Sequence, residues 1–322
     1  MTFIDSIPGI QEYLGVEIRI EMKEKKQLNS LYIFAIVGLI LCVSASGCGS
    51  ARESINKSNF DIVQSETRVI VGIGQEAAPY GFRDDNGELV GFDVDIARAV
   101  VRKLENYIGQ PVNLEFRAVT DEARIGWVQS GEVHMALCHI NITRKRDAVI
   151  DFTVPYGWDG KGILYRTDGG RQDLASFAGK TVGFKRSSNS EPQIQDYFRE
   201  HGWTLPELRQ FDNHAAGIQA LIDGQIDGFT DDNSIIVSTA MLAGHKVGPN
   251  ATLAITDKPY SPAQYGIGVP ENDSRWRDAL NYCLHDLWES GEHLEIYEKW
   301  FGAESMCPIP LGDNRMDPFV KG

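Results

Sequence analysis

The stretch Val69-Ile70-Val71-Gly72-Ile73 is a short run of mostly β-branched residues, and it opens the alternation that decides the fold. The segments after it alternate between helical and strand patterns. They predict helices over residues 95–104 and 121–130, and strands over residues 112–116 and 134–138. Such alternation predicts parallel strands with helices on the faces of the sheet.

A second alternating series begins after residue 160. It predicts strands over residues 162–166, 181–184, 208–211 and 228–230, and helices over residues 190–201 and 214–223. A further strand is predicted over residues 265–269, and two helices within residues 273–301. The chain has 322 residues, of which 42% are hydrophobic, so it is long enough for two compact lobes or for one large α/β domain.

Nucleotide, metal and nucleophile motifs are absent from the sequence. Gly72-Ile73-Gly74 closes a strand, but the third glycine of a dinucleotide fingerprint is missing, and Pro79 prevents a normal helix start. We find no P-loop, zinc cluster or nucleophile elbow. The sequence therefore predicts neither a cofactor nor a metal.

The charge balance is acidic, with 45 Asp and Glu against 31 Lys and Arg and a formal net charge of −14. A chain of this sign is repelled by nucleic acid and by anionic membrane surfaces. We expect an aqueous compartment and no nucleic-acid partner.

The N-terminal region has the layout of a secretory signal: the basic run Met22-Lys23-Glu24-Lys25-Lys26, an apolar run over residues 31–43, and small residues before Cys48. Ala45-Ser46-Gly47-Cys48 resembles a lipobox, although Ala45 stands where Leu is usual. We expect a signal peptide over residues 1–47, with Met22 as a possible true start, a lipid on Cys48 and a flexible tether over residues 48–65. The alternatives are a single-span anchor, which needs about 20 apolar residues, and an incidental thiol.

Three cysteines remain after the signal peptide and Cys48. Cys138 lies in the apolar run Met135-Ala136-Leu137-Cys138 and is expected in the core. Cys283 falls on a predicted helix and Cys307 in the tail behind it. Export permits disulfides, so a bridge between these two is a hypothesis that the sequence leaves open.

Three segments, taken in order and with their spacing, carry a family resemblance. They are Pro79-Tyr80-Gly81-Phe82 leading into Gly87-Glu88-Leu89-Val90-Gly91-Phe92-Asp93-Val94-Asp95, then Ile142-Thr143-Arg144-Lys145-Arg146 leading into Asp151-Phe152-Thr153, and Asp227-Gly228-Phe229-Thr230-Asp231-Asp232. Together they resemble the family-3 bacterial solute-binding proteins, the polar amino-acid receptors of ABC importers. The resemblance extends from about residue 68 to residue 302.

The resemblance implies an α/β, two-lobed periplasmic-binding-protein fold of type II, in which two strands form the hinge between the lobes. Lobe 1 would comprise residues 66–157 and 262–302, and lobe 2 residues 161–258, followed by a C-terminal tail over residues 303–322. An amino acid would bind in the cleft, and closure of the hinge would create the surface for membrane permease subunits. The resemblance implies a monomer in the periplasm or at the cell surface, anchored through Cys48.

The resemblance also implies the groups that bind the α-carboxylate and α-ammonium of the ligand. Arg146 matches the family position for the carboxylate clamp, which a guanidinium suits by its fork of donors. Backbone N–H groups around Asn141, Ser188 and Asn189 would complete the anion site. Asp232 matches the acceptor for the ammonium. The alternatives are a solvated charge for Arg146 and a helix N-cap for Asp232, with Asp231 as cap or surface charge.

The resemblance also points to two residues that would set the specificity for the ligand's side chain. Arg124 and His214 fall where glutamate and aspartate receptors carry an arginine and a histidine, and together they favour an acidic amino acid, because a buried carboxylate requires partners. Arg124 could instead lie on a helix surface, and His214 could merely begin a helix. The departures from the acidic pattern are Gly74 in place of an arginine, Asp121 in place of a hydroxyl residue, and His139 and Asn141 in place of Ser or Thr.

Glutamine, asparagine or a basic ligand therefore remains open. Asp121 would repel a ligand carboxylate unless Arg124 neutralises it. Tyr80 and Trp158 could form apolar walls of the cleft, or could pack in the core.

Two functions from other classes compete with the receptor. The fold is also resembled by periplasmic cyclohexadienyl and arogenate dehydratases, for which Glu191 or His139 could act as general acid. A sensory module of a membrane kinase is the other alternative. We expect a binding protein and no catalytic residues, since no constellation in the sequence demands catalysis.

Overall fold

The structure, a computed structural model, describes residues 57–170, 172–248, 250–305 and 307. The predicted signal peptide, Cys48 and the first part of the tether lie outside the described residues. So does nearly all of the predicted tail beyond residue 305.

The described ranges contain the following elements in chain order. The strands are β1 (Arg68–Ile73), β2 (Glu76–Ala77), β3 (Gly81–Arg83), β4 (Leu89–Val90), β5 (Asn113–Ala118), β6 (Met135–Leu137), β7 (Asp151–Phe152), β8 (Gly157–Arg166), β9 (Thr181–Lys185), β10 (Glu207–Phe211), β11 (Gly228–Asp232), β12 (Leu253–Ile255), β13 (Ser261–Tyr265) and β14 (Gly268–Val269). The α-helices are α1 (Asn59–Glu66), α2 (Phe92–Ile108), α3 (Arg124–Ser130), α4 (Arg144–Asp147), α5 (Ser190–Glu200), α6 (His214–Ile222), α7 (Asn233–Leu242), α8 (Ser274–Glu289) and α9 (Glu292–Phe301).

Two sheets form the centres of two lobes. The first has the strand order β5-β1-β6-β14-β7, and the second has the order β10-β9-β11-β8-β12, with β13 also paired to β8. Strand β1 is parallel to β5 and β6, and β9 is parallel to β10 and β11, as the alternating pattern predicts. The predicted α/β class is confirmed.

Two antiparallel strands connect the lobes. Strand β8 follows β7 of the first sheet, runs into the second, and pairs with β13, which returns to β14 of the first sheet. The single strand predicted over residues 265–269 is therefore wrong. The chain leaves one sheet at Tyr265 and joins the other at Gly268, so a continuous run of strand-forming residues spans the boundary between two sheets.

The first turn of helix α2 lies close to the loop that follows β6. It begins at Phe92, earlier than predicted, because Gly91 at φ 139° passes so close to Tyr80 that an added Cβ would lie 2.0 Å from the Tyr80 carbonyl oxygen. In its first turn the buried Asp93 accepts hydrogen bonds from Tyr156 Oη at 2.8 Å and from the backbone N–H of His139 at 2.7 Å. The start of α2 thus positions the loop that follows β6.

The predicted flexible tether is wrong for its last residues, because Asn59–Glu66 form helix α1. Ser58 caps the helix, and its hydroxyl donates to Asp273 at 2.6 Å. Phe60 and Val63 are buried in the core of the first lobe. These two apolar residues, spaced three apart, are the signal that the polar composition of the segment concealed.

The cysteines differ from the disulfide hypothesis. Within the described residues, Cys138, Cys283 and Cys307 are all free and buried. Cys283 packs in the core of the first lobe, whereas Cys307 Sγ lies 3.5 Å from the carbonyl oxygen of Ser234 at the start of α7. The bridge is absent because the two thiols have different surroundings. The core position predicted for Cys138 is confirmed.

Candidate ligand-binding site

The cleft between the lobes contains a small cavity of about 20 Å³. Its lining residues share one property: they follow or end the parallel strands β5, β6, β9, β10 and β11 at the carboxyl edges of both sheets, where α/β proteins bind ligands. They are Asp121, Arg124, His139, Asn141, Arg146, Ser188, Asn189, His214, Asp231, Asp232 and Ile235. A larger space of about 220 Å³ adjoins the cavity and shares Asp121 and His139 with it.

Nine of the ten predicted ligand-binding residues line this cavity, and Tyr80 is the exception. Tyr80 is buried beside it, with its hydroxyl 2.8 Å from Ser234 Oγ and its ring 5.6 Å from that of His139. Tyr80 therefore packs behind the cavity-lining residues and helps to hold His139 in place. Trp158 is half-buried and packs against Trp288.

Arg146 is the cation without a counter-ion in this site. Its Nη1 donates to the backbone carbonyl of Asn141 at 3.0 Å, and it makes no ion pair with any carboxylate in the described part of the chain. Burial, and next the neighbouring Arg124, lower the pKa of Arg146 to about 10. A half-buried guanidinium in this position is stabilised by an added anion.

Asp232 is the acceptor facing Arg146 across the cavity. It occupies the N-cap position of α7, but its side chain makes no capping hydrogen bond to the described backbone of that helix. Its Oδ2 accepts from Asn141 Nδ2 at 3.1 Å and from Tyr265 Oη at 2.8 Å. The N-cap alternative for its side chain is therefore wrong.

Asp231 is buried, which contradicts its predicted role as a cap or surface charge. It accepts from Lys161 Nζ at 2.8 Å and from Ser190 Oγ at 3.1 Å, and its Oδ2 lies 2.9 Å from His214 Nε2. Burial raises the pKa of Asp231, but Lys161 and His214 outweigh it and hold that pKa well below its ordinary value. Asp231 is thus an ionised part of the site wall.

Arg124 lies at the other end of the cavity and is only 4% exposed, so the helix-surface alternative is wrong. It donates to the carbonyl of Cys138 at 2.6 Å and pairs with Asp121 at 2.9 Å. Asp121 is also paired with Lys185 from the second lobe. Burial raises the pKa of Asp121, yet the charges of Arg124 and Lys185 lower it far below its ordinary value.

His139 is neutral in this site, because burial lowers its pKa to about 3. Its backbone adopts φ 39°, in the left-handed region that non-glycine residues seldom occupy. The hydrogen bond from its N–H to Asp93 holds this conformation. Strained backbone of this kind is concentrated at binding sites.

Unpaired donors and acceptors meet in the cavity. Among the described residues, seven buried side-chain nitrogen or oxygen atoms lack a hydrogen-bond partner in the protein, and four of them belong to cavity-lining residues. Two are donors, Arg124 Nε and Asn189 Nδ2, and one is an acceptor, Asn141 Oδ1. The fourth, Asp232 Oδ1, makes no hydrogen bond but lies 2.7 Å from Lys161 Nζ as an ion pair. Because buried polar groups are normally paired, this set is complementary to a small molecule that carries both acceptors and donors.

Direct contacts join the lobes around the cavity. Asp121 pairs with Lys185, Asn141 donates to Asp232, and the hydroxyl of Tyr80 contacts that of Ser234. In each pair the first residue lies in the first lobe and the second in the second lobe. The cleft is therefore closed in this structure.

The residues that sequence reasoning missed are Lys161, Lys185, Asp159 and Tyr265. They support the lining residues from β8, β9 and β13. The second half of β8 after Lys161 is apolar and buried, and a single lysine next to such a run is the one sequence feature that indicates a buried, functional charge.

Among the helices of the described residues, none is long and apolar enough to cross a membrane.

The fold and the site together define a two-lobed binding protein whose cleft is polar and complementary to a small molecule with both hydrogen-bond donors and acceptors. Residues 69–303 match the bacterial extracellular solute-binding proteins, family 3, and the chain belongs to that family. Its fold is the type II periplasmic-binding fold that the resemblance implied.

Relatives with named ligands span most of the chain. The ABC transporter glutamine-binding protein GlnH of Bacillus subtilis is 26% identical over 281 residues, which are 87% of this chain and 97% of that protein. The glutamate-binding protein GluB of Corynebacterium efficiens is 24% identical over 286 residues, 86% of this chain and 90% of that protein. A solved structure of an ancestral arginine-binding protein bound to arginine is 31% identical with a TM-score of 0.62, covering 73% of this chain and 99% of that one.

Proposed function

We propose that this protein is the extracytoplasmic substrate-binding component of an amino-acid ABC importer, and that its ligand is an acidic amino acid, glutamate or aspartate. The unpaired set in the cavity is the observation that carries this proposal. Arg146 and the donors of Arg124 and Asn189 suit carboxylates, and the unpaired Asn141 Oδ1 together with the carboxylate of Asp232, which also pairs with Lys161, suits an ammonium. A zwitterion supplies both.

The charge balance of the site favours an acidic side chain. Arg146 and Lys161 balance Asp231 and Asp232, so the end that would hold the α-groups is neutral, as a zwitterion requires. At the other end Arg124 and Lys185 exceed Asp121 by one positive charge. One additional carboxylate neutralises that end, because Asp121 alone leaves a cation in excess.

Glutamine and arginine are the competing ligands, since relatives named for them match this chain. A carboxamide would receive hydrogen bonds from Arg124 without neutralising the excess charge. A guanidinium would place another cation beside Arg124 and Lys185, which is unfavourable.

The dehydratase alternative lacks its general acid in the described site. Glu191 is exposed on α5 and does not line the cavity. His139 is neutral at physiological pH, because burial lowers its pKa to about 3. The relatives described above are named as binding proteins.

Export and membrane attachment belong to the same proposal. A lipid on Cys48 would hold a monomeric receptor at the membrane beside its permease subunits, with closure of the two lobes presenting the recognised surface. Radiolabelled-lipid incorporation into the unsubstituted chain but not into Cys48→Ser tests the anchor.

Thermal shift of the purified protein against the twenty amino acids and prephenate tests the function. A bound ligand raises the melting temperature by mass action, and glutamate or aspartate is expected to raise it most. Consumption of prephenate without a shift by any amino acid would overturn the receptor proposal in favour of the enzyme.

A further inference from the structure

A lysine is completely enclosed beside the site. Lys161 lies in the middle of β8, directly opposite Asp232 in the antiparallel pairing of β8 with β11, and opposite Ser261 in the pairing with β13. Its side chain is 1% exposed and does not line the cavity. Since strand pairing fixes its position on both sides, its ammonium is held in one place.

All three contacts of Lys161 are with one cluster of buried polar residues, Ser190, Asp231 and Asp232. Its Nζ donates to Asp231 Oδ1 at 2.8 Å and to Ser190 Oγ at 3.1 Å, and it lies 2.7 Å from Asp232 Oδ1 as an ion pair. Ser190 in turn donates to Asp231 at 3.1 Å. A single buried cation therefore serves two consecutive buried carboxylates.

The two carboxylates would otherwise repel each other. Neighbouring buried carboxylates without a cation share a proton, because two negative charges in a site of low polarity are costly. Burial lowers the pKa of Lys161, but Asp231 and next Asp232 raise it well above its ordinary value. The lysine is therefore charged, and so is Asp231.

We infer that Lys161 is a positioning residue that sets the charge of the ammonium subsite: its single positive charge pairs with both Asp231 and Asp232, so that one net negative charge remains on the two carboxylates to receive the ammonium of the ligand. This inference rests on the proposed function for its ligand. Lys161 acts through the aspartates, because it does not reach the cavity itself.

Several other groups face the cluster from the surrounding elements. They are His214 on α6, Ser190 on α5, Asp159 on β8, Tyr260 and Tyr265 at β13, and Asn141, Arg124 and Arg146 from the first lobe. They are the same in every variant below, and the double variant, which keeps the net charge of the cluster, is the control for their titration.

The test compares Lys161→Met with the double variant Lys161→Met/Asp231→Asn, which removes one charge of each sign. In Lys161→Met the site gains one net negative charge. We expect the Kd for L-glutamate at pH 8 to rise at least about tenfold, with a smaller rise at pH 6 where the aspartate pair takes up a proton. The double variant is expected to bind within about threefold of the unsubstituted protein, with no pH trend.

A second readout needs no ligand. In Lys161→Met the folded protein holds a proton that the unfolded chain releases above pH 4, so its melting temperature, relative to the unsubstituted protein, is expected to fall as pH rises from 5 to 8. The double variant is expected to abolish that trend.

Two results would overturn the role of Lys161. One is a Lys161→Met protein whose affinity and stability depend on pH in the same way as those of the unsubstituted protein. The other is a folded double variant, judged by circular dichroism, that retains the pH trends of Lys161→Met. If the unsubstituted protein bound no amino acid, the proposed function would fail, while the stability profiles would still decide the role of Lys161.

Discussion

Asn141 donates from Nδ2 to Asp232 Oδ2 across 3.1 Å, and this hydrogen bond joins the first lobe to the second inside the cavity. The backbone carbonyl of the same asparagine accepts from Arg146 at 3.0 Å. One residue thus holds the cation and the carboxylate on opposite sides of a space that contains unpaired donors and acceptors. The predictions below depend on this arrangement.

Arg146→Ala is expected to weaken glutamate binding by at least about 100-fold, because loss of a buried cation leaves a desolvated ligand carboxylate unpaired. Isothermal titration calorimetry measures it. Arg144→Ala, an exposed residue in the same helix, is the matched control and is expected to leave the affinity unchanged. Equal effects of the two substitutions would show that Arg146 is a surface charge.

Arg124→Met is expected to reduce the affinity for glutamate by at least about 30-fold and that for glutamine by less, because only glutamate needs the excess positive charge. The ratio of the two Kd values measures the effect. The variant is also expected to lose about 3 kcal/mol of unfolding free energy, since the buried Asp121 loses one of the two cations that pair with it. Arg98→Met, on the exposed face of α2, is the control. An unchanged ratio of affinities would remove Arg124 from the specificity site.

Asp159→Asn is expected to change how stability depends on pH. Burial, and next the charge of Asp232, raise the pKa of Asp159 to about 7, and hydrogen bonds from Ser234 and Gly160 oppose this only partly. Between pH 4 and pH 7 the unfolded chain has lost this proton while the folded protein keeps it. The unfolding free energy of the unsubstituted protein, relative to the variant, therefore falls as pH rises through this window, by at most about 1.4 kcal/mol per pH unit, and levels above pH 7.

Urea unfolding of both proteins at pH 4.5, 5.5, 6.5 and 7.5 measures that difference. Asp85→Asn, an exposed carboxylate, is the control and is expected to show no such window. A difference between the unsubstituted protein and Asp159→Asn that stayed constant with pH would mean that Asp159 titrates at its ordinary value.

The chain from residue 49 onward is expected to show three reactive thiols when unfolded without reductant, because Cys138, Cys283 and Cys307 are free. Thiol titration with Ellman's reagent counts them, and the same count after full reduction serves as the control. A count of one before reduction would restore the bridge between Cys283 and Cys307.

The pattern of strands and helices was readable from the sequence, since apolar periodicity and turn residues are local. The residues of the site came from the family resemblance; Arg146, Asn141 and Asp232 meet in the cavity because residues at the carboxyl ends of parallel strands lie close in space. The sequence reasoning failed at Asp231, whose surroundings depend on Lys161 seventy residues away and not on local sequence. Helix α1 was missed because it is stabilised by the packing of Phe60 and Val63 against the core of the first lobe, which is formed by residues far away in the sequence.

Calorimetric titration of the protein with L-glutamate, Nα-acetyl-L-glutamate and the α-amide of glutamate tests the central claim most directly. The two analogues lack the ammonium and the α-carboxylate, respectively, and keep the acidic side chain. We expect L-glutamate to bind with a stoichiometry of one and each analogue to bind at least about 100-fold more weakly. Equal binding of either analogue, or no binding of any amino acid, would contradict a site in which Arg146 and Asp232 hold the two ends of a zwitterion.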